Sequence, residues 1–160
     1  MKHNYILLIL IFFWSSCAGA QSTNNVIKRV ELLDYGILNI NKIKTIDTSL
    51  TASGKYTIAK MTSVKKTTDL IIAKKHEAFG ITYKVIGNPH GTKVLLTIKI
   101  IHPPIKGRTS SKAKIWAYIG EPDYTFYSFD EDYELLEGKW KIQIWNKNKK
   151  LLEKVFHIKK

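Results

Sequence analysis

Hydrophobic and polar residues alternate with a period of two along most of this 160-residue chain. Val94, Leu96, Ile98 and Ile100 share one face of a run whose other face carries Leu95, Thr97, Lys99 and Ile101. That is the pattern of a strand buried on one side and partly covered on the other. Ile81, Tyr83 and Val85 alternate in the same way with Thr82, Lys84 and Ile86. Gly87-Asn88-Pro89-His90-Gly91 separates the two runs and is a dense turn signal, so the pair reads as an antiparallel hairpin. His102-Pro103-Pro104 is expected to end the second strand, because neither proline can donate to a ladder.

A second hairpin is predicted at the end of the chain. Trp140, Ile142 and Ile144 alternate with Lys139, Lys141 and Gln143, Asn146 to Lys150 form a polar turn, and Leu152, Phe156 and Ile158 line the return. Between the hairpins, Ile115, Ala117 and Ile119 oppose Lys114, Trp116 and Tyr118, and Tyr124 to Phe129 is an aromatic strand. Upstream, Val26 to Ile37, Tyr56 to Val64 and, more weakly, Asp69 to Ala73 are strand-like. Thr45 to Lys55, rich in Ser and Thr, is expected to be a mobile loop. No segment sustains a 3.6-residue period. About seven to nine short strands at this spacing predict an all-β, antiparallel, immunoglobulin-like sandwich, with a barrel of similar strand number as the alternative.

The first twenty residues follow a different rule. Lys2 and His3 precede an apolar run from Tyr5 to Trp14, and Ser15 to Ala20 turn small and polar. This is the layout of a cleaved secretory signal, and the run is too short to cross a bilayer core that needs about 20 helical residues. Ala18-Gly19-Ala20 predicts release at Gln21; Cys17, preceded by Ser16 but with Trp14 in place of an aliphatic residue, is the competing lipidation site. Residues 21–160 are then expected to form one domain. Cys17 is the chain's one cysteine, so no disulfide supports that domain. Export without disulfides fits a bacterial periplasmic or secreted protein, or an outer-membrane lipoprotein if Cys17 is acylated.

Charge is segregated. The segment Glu121 to Glu137 holds seven of the thirteen acids and no Lys or Arg, whereas the rest of the chain holds all 26 basic residues. Net charge is +13, or +12 once removal of the signal takes away Lys2. Such separation predicts a polar surface feature, an intramolecular clamp or a partner site. Anionic envelope polymers, anionic headgroups and acidic proteins are all suitable partners. Nucleic acid is disfavoured by export, and membrane contact is expected to be peripheral or through a lipid on Cys17. The plain alternative is that scattered lysines keep a β-domain soluble and blunt its edges.

Asp130, Glu131, Asp132 and Glu134 are a candidate partner surface, together with Trp145, which falls on the face opposite Trp140. Clustered acids also suit calcium, but the alternating Asp/Asn loop with a central glycine is absent. The structural reading is a bend between two strands, with Phe129 and Tyr133 pointing in and the acids out. Gly138 before Trp140 suggests a turn whose indole covers the end of the core. His76, His90, His102 and His157 show no metal-ligand spacing, and neither G-x-S-x-G nor a glycine-rich phosphate loop occurs. No enzymatic activity, metal or cofactor is predicted.

Four phrases carry a resemblance: V-E-L-L-D-Y-G-I (Val30 to Ile37), S-G-K (Ser53 to Lys55), F-G-I-T-Y-K-V-I-G-N-P-H-G (Phe79 to Gly91) and Y-S-F-D-E-D-Y-E-L-L-E-G-K-W-K-I-Q-I-W (Tyr127 to Trp145). In this order the chain resembles a bacterial family of exported or envelope proteins classed as a domain of unknown function, with Tyr133 where that pattern usually has Trp. The resemblance implies one all-β domain in an envelope setting and supplies no activity. The expected function is a non-enzymatic envelope binding module. The alternative is an accessory or chaperone-like subunit that docks a protein partner through a sheet edge.

Overall fold

A computed structural model describes residues 26–160. The expected signal peptide, Cys17 and the cleavage site after Ala20 lie outside these residues. Nine strands form among the described residues: β1 (Val26–Asp47), β2 (Lys55–Thr67), β3 (Leu70–Ile72), β4 (Ala78–Asn88), β5 (Lys93–Ile105), β6 (Arg108–Tyr118), β7 (Pro122–Ser128), β8 (Gly138–Asn146) and β9 (Lys149–Lys159). Among the described residues one 3-10 turn, Asp132–Glu134, interrupts them. They build a four-stranded sheet of order β2-β1-β4-β7 and a five-stranded sheet of order β3-β9-β8-β5-β6. All pairings between neighbours are antiparallel except β3 with β9. The all-β, immunoglobulin-like sandwich expected from the alternation is the observed fold.

Alternation explains the layers. Phe79, Ile81, Tyr83 and Val85 of β4 face Leu96, Ile98, Ile142, Ile144, Phe156 and Ile158 of the other sheet, each buried. Fully burying such side chains contributes roughly 1.5–3 kcal/mol apiece. At one end the core is aromatic: the Phe79 ring lies 5.4 Å from Phe129, 5.8 Å from Trp140 and 5.1 Å from Phe156. Trp140 is fully buried, and its indole N–H donates to the Leu136 carbonyl at 3.1 Å, as the Gly138-Trp140 pattern predicts.

Three expectations are corrected. β4 and β5 are not a hairpin: β4 pairs with β1 and β7, β5 with β6 and β8, and residues 89–92 cross between the sheets. A period of two identifies a strand and its buried face but not its neighbour. Pro103 and Pro104 do end the ladder to β8 at Ile101, but β5 resumes against β6 at Ile105, with the prolines in the irregularity between. A bulge tolerates residues that cannot donate. The loop predicted for Thr45 to Lys55 shrinks to residues 48–54, and Thr51 and Ala52 at its tip are buried.

β1 is the reason. Its first half pairs with β4 as far as Leu38, and from Gly36 onward it pairs with β2. Beyond the end of β4, β1 and β2 therefore continue as a two-stranded arm. Register shifts after Ile37, Asn39 and Lys42 mark bulges, which bend and twist a strand. Gly36 sits at the changeover with φ +136°, and a Cβ there would lie 2.0 Å from the Lys66 carbonyl oxygen. Only glycine fits that position.

Candidate functional site

The acidic segment is built from its turn outward. Glu134 is 2% exposed. Its Oε2 accepts the Asp130 and Glu131 backbone N–H groups at 2.7 and 2.9 Å, and its Oε1 accepts the Tyr127 hydroxyl at 2.8 Å. Tyr133 points outward under the Lys106 ammonium, 4.3 Å from the ring centre. The expected arrangement of aromatics in and acids out thus holds at Phe129 and reverses at these two positions. The tight turn leaves amides that a carboxylate must satisfy from inside.

The other acids hold the arm. Asp130 receives the Lys42 ammonium, the Thr57 hydroxyl at 2.8 Å and the Ser128 hydroxyl at 2.9 Å. Partial burial works against its charge, but the hydrogen bonds from Lys42, Ser128 and Thr57 outweigh it and keep the carboxyl below its ordinary pKa. Glu131 accepts Lys55 at 2.6 Å, and that bond and charge lower its pKa too. At the arm's tip, the Ala52 N–H donates to Ser111 Oγ at 2.9 Å and the Lys112 N–H to the Leu50 carbonyl at 3.0 Å. The Arg108 guanidinium donates to the Ser49 and Thr51 carbonyls. His102, buried beneath, contacts Ser111 Oγ at 3.3 Å, and burial lowers its pKa.

These contacts make the charge segregation an intramolecular clamp. Of the candidate partner residues, Asp130, Glu131 and Glu134 are engaged within the chain. The Asp132 side chain is 81% exposed beside Lys75 at 3.5 Å. Trp145 is half-buried on the outer face of the five-stranded sheet and donates to Gln143 Oε1 at 2.9 Å, apart from the acids. Sequence reasoning missed Lys42, Lys55 and Thr57, which no local pattern connects to residues some 70 to 90 positions away.

Bracing the arm leaves a cleft of about 260 Å³ between β2, β6 and β7. Tyr56, Ile58, Ile115, Trp116, Tyr124 and Phe126 line it, with Asp123 on the β7 wall. The Tyr124 hydroxyl crosses to the Ala59 carbonyl at 2.9 Å. Asp123 accepts the Tyr83 hydroxyl at 3.2 Å and the Tyr124 N–H at 2.7 Å. Burial raises the pKa of both Asp123 and Tyr83, and for Tyr83 the neighbouring carboxylate adds to the effect.

The second surface is the outer face of the five-stranded sheet. The ladder sets Lys93 beside Tyr118, Leu95 beside Trp116, Thr97 between Lys114 and Trp145, and Lys99 between Lys112 and Gln143. Lys139, Lys141 and Lys150 continue the face across β8 and β9. Among these outward positions the one acid is Glu153, held by Gln143 and Lys150 at 2.6 and 2.8 Å. Trp116 is 57% exposed with the Lys93 ammonium 4.9 Å over its ring, and Tyr118 is 48% exposed. The alternation of Lys112, Lys114, Trp116 and Tyr118 in β6 was the available sequence signal for this face.

Comparison with solved structures finds an immunoglobulin-like protein from Pseudomonas aeruginosa, at 21% identity and a TM-score of 0.52, covering 81% of this chain and 96% of that one. At that identity the likeness establishes the fold alone. A comparison with curated proteins finds no match. Residues 27–158, from β1 to the end of β9, match the family described as Domain of unknown function (DUF3859), and the chain belongs to that family.

Proposed function

We propose that this protein is a non-enzymatic binding module of the bacterial cell envelope, which holds an anionic envelope component on the outer face of its five-stranded sheet. The observation that carries this reading is the register of β5, β6, β8 and β9, which gathers seven lysines around Trp116, Tyr118 and Trp145 against a single glutamate. Ammonium groups beside exposed aromatic rings suit phosphate or carboxylate groups carried on an apolar or ring-shaped scaffold. The interior explains why this face is the active one: the opposite side of the same strands is core. In this reading residues 1–20 export the protein, and its N-terminus is Gln21 or an acylated Cys17.

Binding to vesicles of phosphatidylglycerol, with phosphatidylcholine vesicles as control, tests the proposal. The wild type is expected to bind the anionic vesicles and to weaken as salt rises, since exposed charges are screened beyond about 10 Å at ~0.1 M. Lys112→Glu with Lys114→Glu should reduce binding at least tenfold without changing thermal stability, and Trp116→Ala should reduce it by a smaller factor. Equal binding by the charge-reversed variant would overturn the assignment of this face. Mass spectrometry of protein recovered from its native envelope checks export, and an N-terminus at Met1 would count against it.

A further inference from the structure

The free edges of β6 and β7 face the same cleft, and the direction of their main-chain groups can be read from their contacts. In an antiparallel ladder the N–H and C=O of one residue point to the same neighbour, and successive residues alternate. The Thr125 carbonyl lies against β4, where a Cβ on Gly80 would meet it at 2.2 Å. Tyr124 and Phe126 therefore turn their main chain away from β4. The Tyr124 N–H is taken by Asp123, but the Tyr124 carbonyl and both main-chain groups of Phe126 have no hydrogen-bond partner among the described residues. On β6, the Lys112 N–H donates outward to Leu50, so Lys114 and Trp116 also turn their main chain to the cleft.

The cleft also differs in charge from the rest of the molecule. Its lining carries four carboxylates, Asp123, Asp130, Glu131 and Glu134, against Lys55 and Lys112, in a chain of net charge +13. Lys42 and Lys55 pair with Asp130 and Glu131, and Glu134 is buried in its turn, which leaves Asp123 without a cationic partner among the described residues. An anion suited to the lysine face is disfavoured here. Nor does the β7 edge carry the usual protection: unlike β6, which has Lys112 and Lys114, β7 has no lysine, and its one proline, Pro122, stands at the start of the strand. Unpaired strand edges template the addition of another strand.

We propose that this cleft takes an extended, basic segment of a partner polypeptide by strand addition. The segment pairs its main chain with Phe126 of β7 and directs a lysine or arginine side chain to Asp123. Alternate apolar side chains of the guest seat against Ile58 and Ile115, because successive residues of a strand point to opposite faces. The site shares Lys112 and Trp116 with the lysine face, but Phe126 and Asp123 belong to it alone, so variants there test it apart from that face.

Selection from a displayed library of random octapeptides, with the wild-type chain as bait, tests it. The expected result is enrichment of alternating sequences that carry Lys or Arg, followed by amide exchange at least tenfold slower at Phe126, Lys114 or Trp116 when the enriched peptide is bound. N-methylation of the peptide at alternate positions should abolish binding in one register and spare it in the other. Phe126→Pro removes an N–H that the β4 ladder does not use, so it should lose binding while Phe126→Ala retains part of it. Enrichment of acidic or patternless peptides, no enrichment at all, or binding indifferent to N-methylation in both registers would overturn the proposal. The N-methylated peptides decide the matter even where Phe126→Pro does not fold.

Discussion

Replacing Glu134 measures how much of the domain's stability the acidic turn supplies. Its carboxylate is the acceptor for two backbone N–H groups and the Tyr127 hydroxyl, all within 2.7–2.9 Å and shielded from water. Glu134→Ala leaves these donors without an acceptor, and each such loss costs about 1–3 kcal/mol, partly recovered where water enters. Three of them set an expected loss of roughly 3–5 kcal/mol, a large fraction of the 5–15 kcal/mol typical of a folded domain. Glu134→Gln keeps one oxygen for the two amides, and the Tyr127 hydroxyl can rotate to accept from the new NH₂ group, so about 1 kcal/mol is expected. Urea unfolding of both variants, with equal m-values as the control for a common unfolded state, gives the difference directly. For a domain of this size the Ala variant should melt roughly 10–20 °C lower. A loss below about 1 kcal/mol for Ala, or a Gln variant as damaged as the Ala variant, would refute the claim that this carboxylate organises the turn through its acceptor oxygens.

Stability should fall with acid in two stages. The buried His102 has a lowered pKa, so its contribution is complete above the ordinary value of 6.5 and declines as pH falls below it. Asp130 has a depressed pKa, so its anchorage of the arm is complete above 3.8 and is lost as pH falls further; hydrogen exchange in residues 42–60 should accelerate there, and Asp130→Asn should reduce that second stage, with Glu131, whose pKa is also lowered, supplying the remainder. Gly36→Ala should cost about 2–4 kcal/mol, because it joins a positive φ to a clash with the Lys66 carbonyl, whereas Gly54→Ala, also at positive φ but in open space, should cost about 1 kcal/mol, as thermal melts of the two would show. Tyr83 and Tyr127 are raised well above the ordinary tyrosine range, chiefly by burial, so an alkaline absorbance titration should show them ionising only with unfolding. Their titration alongside the exposed tyrosines would contradict the burial assigned to them.

The candidate site was legible in unequal parts. The lysine and aromatic positions of β6 lie two residues apart, so their common face followed from strand geometry once the strand was recognised. The pairing of that face with Trp145, Lys141 and Lys150 depends on β8 lying next to β5, which adjacency in sequence does not reveal. In the acidic segment, Glu134 and Asp132 are chemically alike and two residues apart, yet one is buried and the other exposed. Turn geometry, which aims only one of them at the orphaned amides, makes that distinction.

The sequence alone determined that the chain forms strands, which faces those strands bury, where Trp140 closes the core and that unlike charges are kept apart. These are local properties, set by alternation and by the chemistry of short segments, and each strand carries them wherever it docks. Tertiary structure decided which strands are neighbours, sent β4 and β5 into different sheets, and bent β1 at Gly36 into an arm. It also brought Lys42, Lys55 and Thr57 to Asp130 and Glu131, and so enclosed a cleft beside two unpaired strand edges. Those outcomes rest on contacts between residues far apart in sequence, where ladder pairing, bulges and buried hydrogen bonds select one arrangement from many that the same local pattern allows.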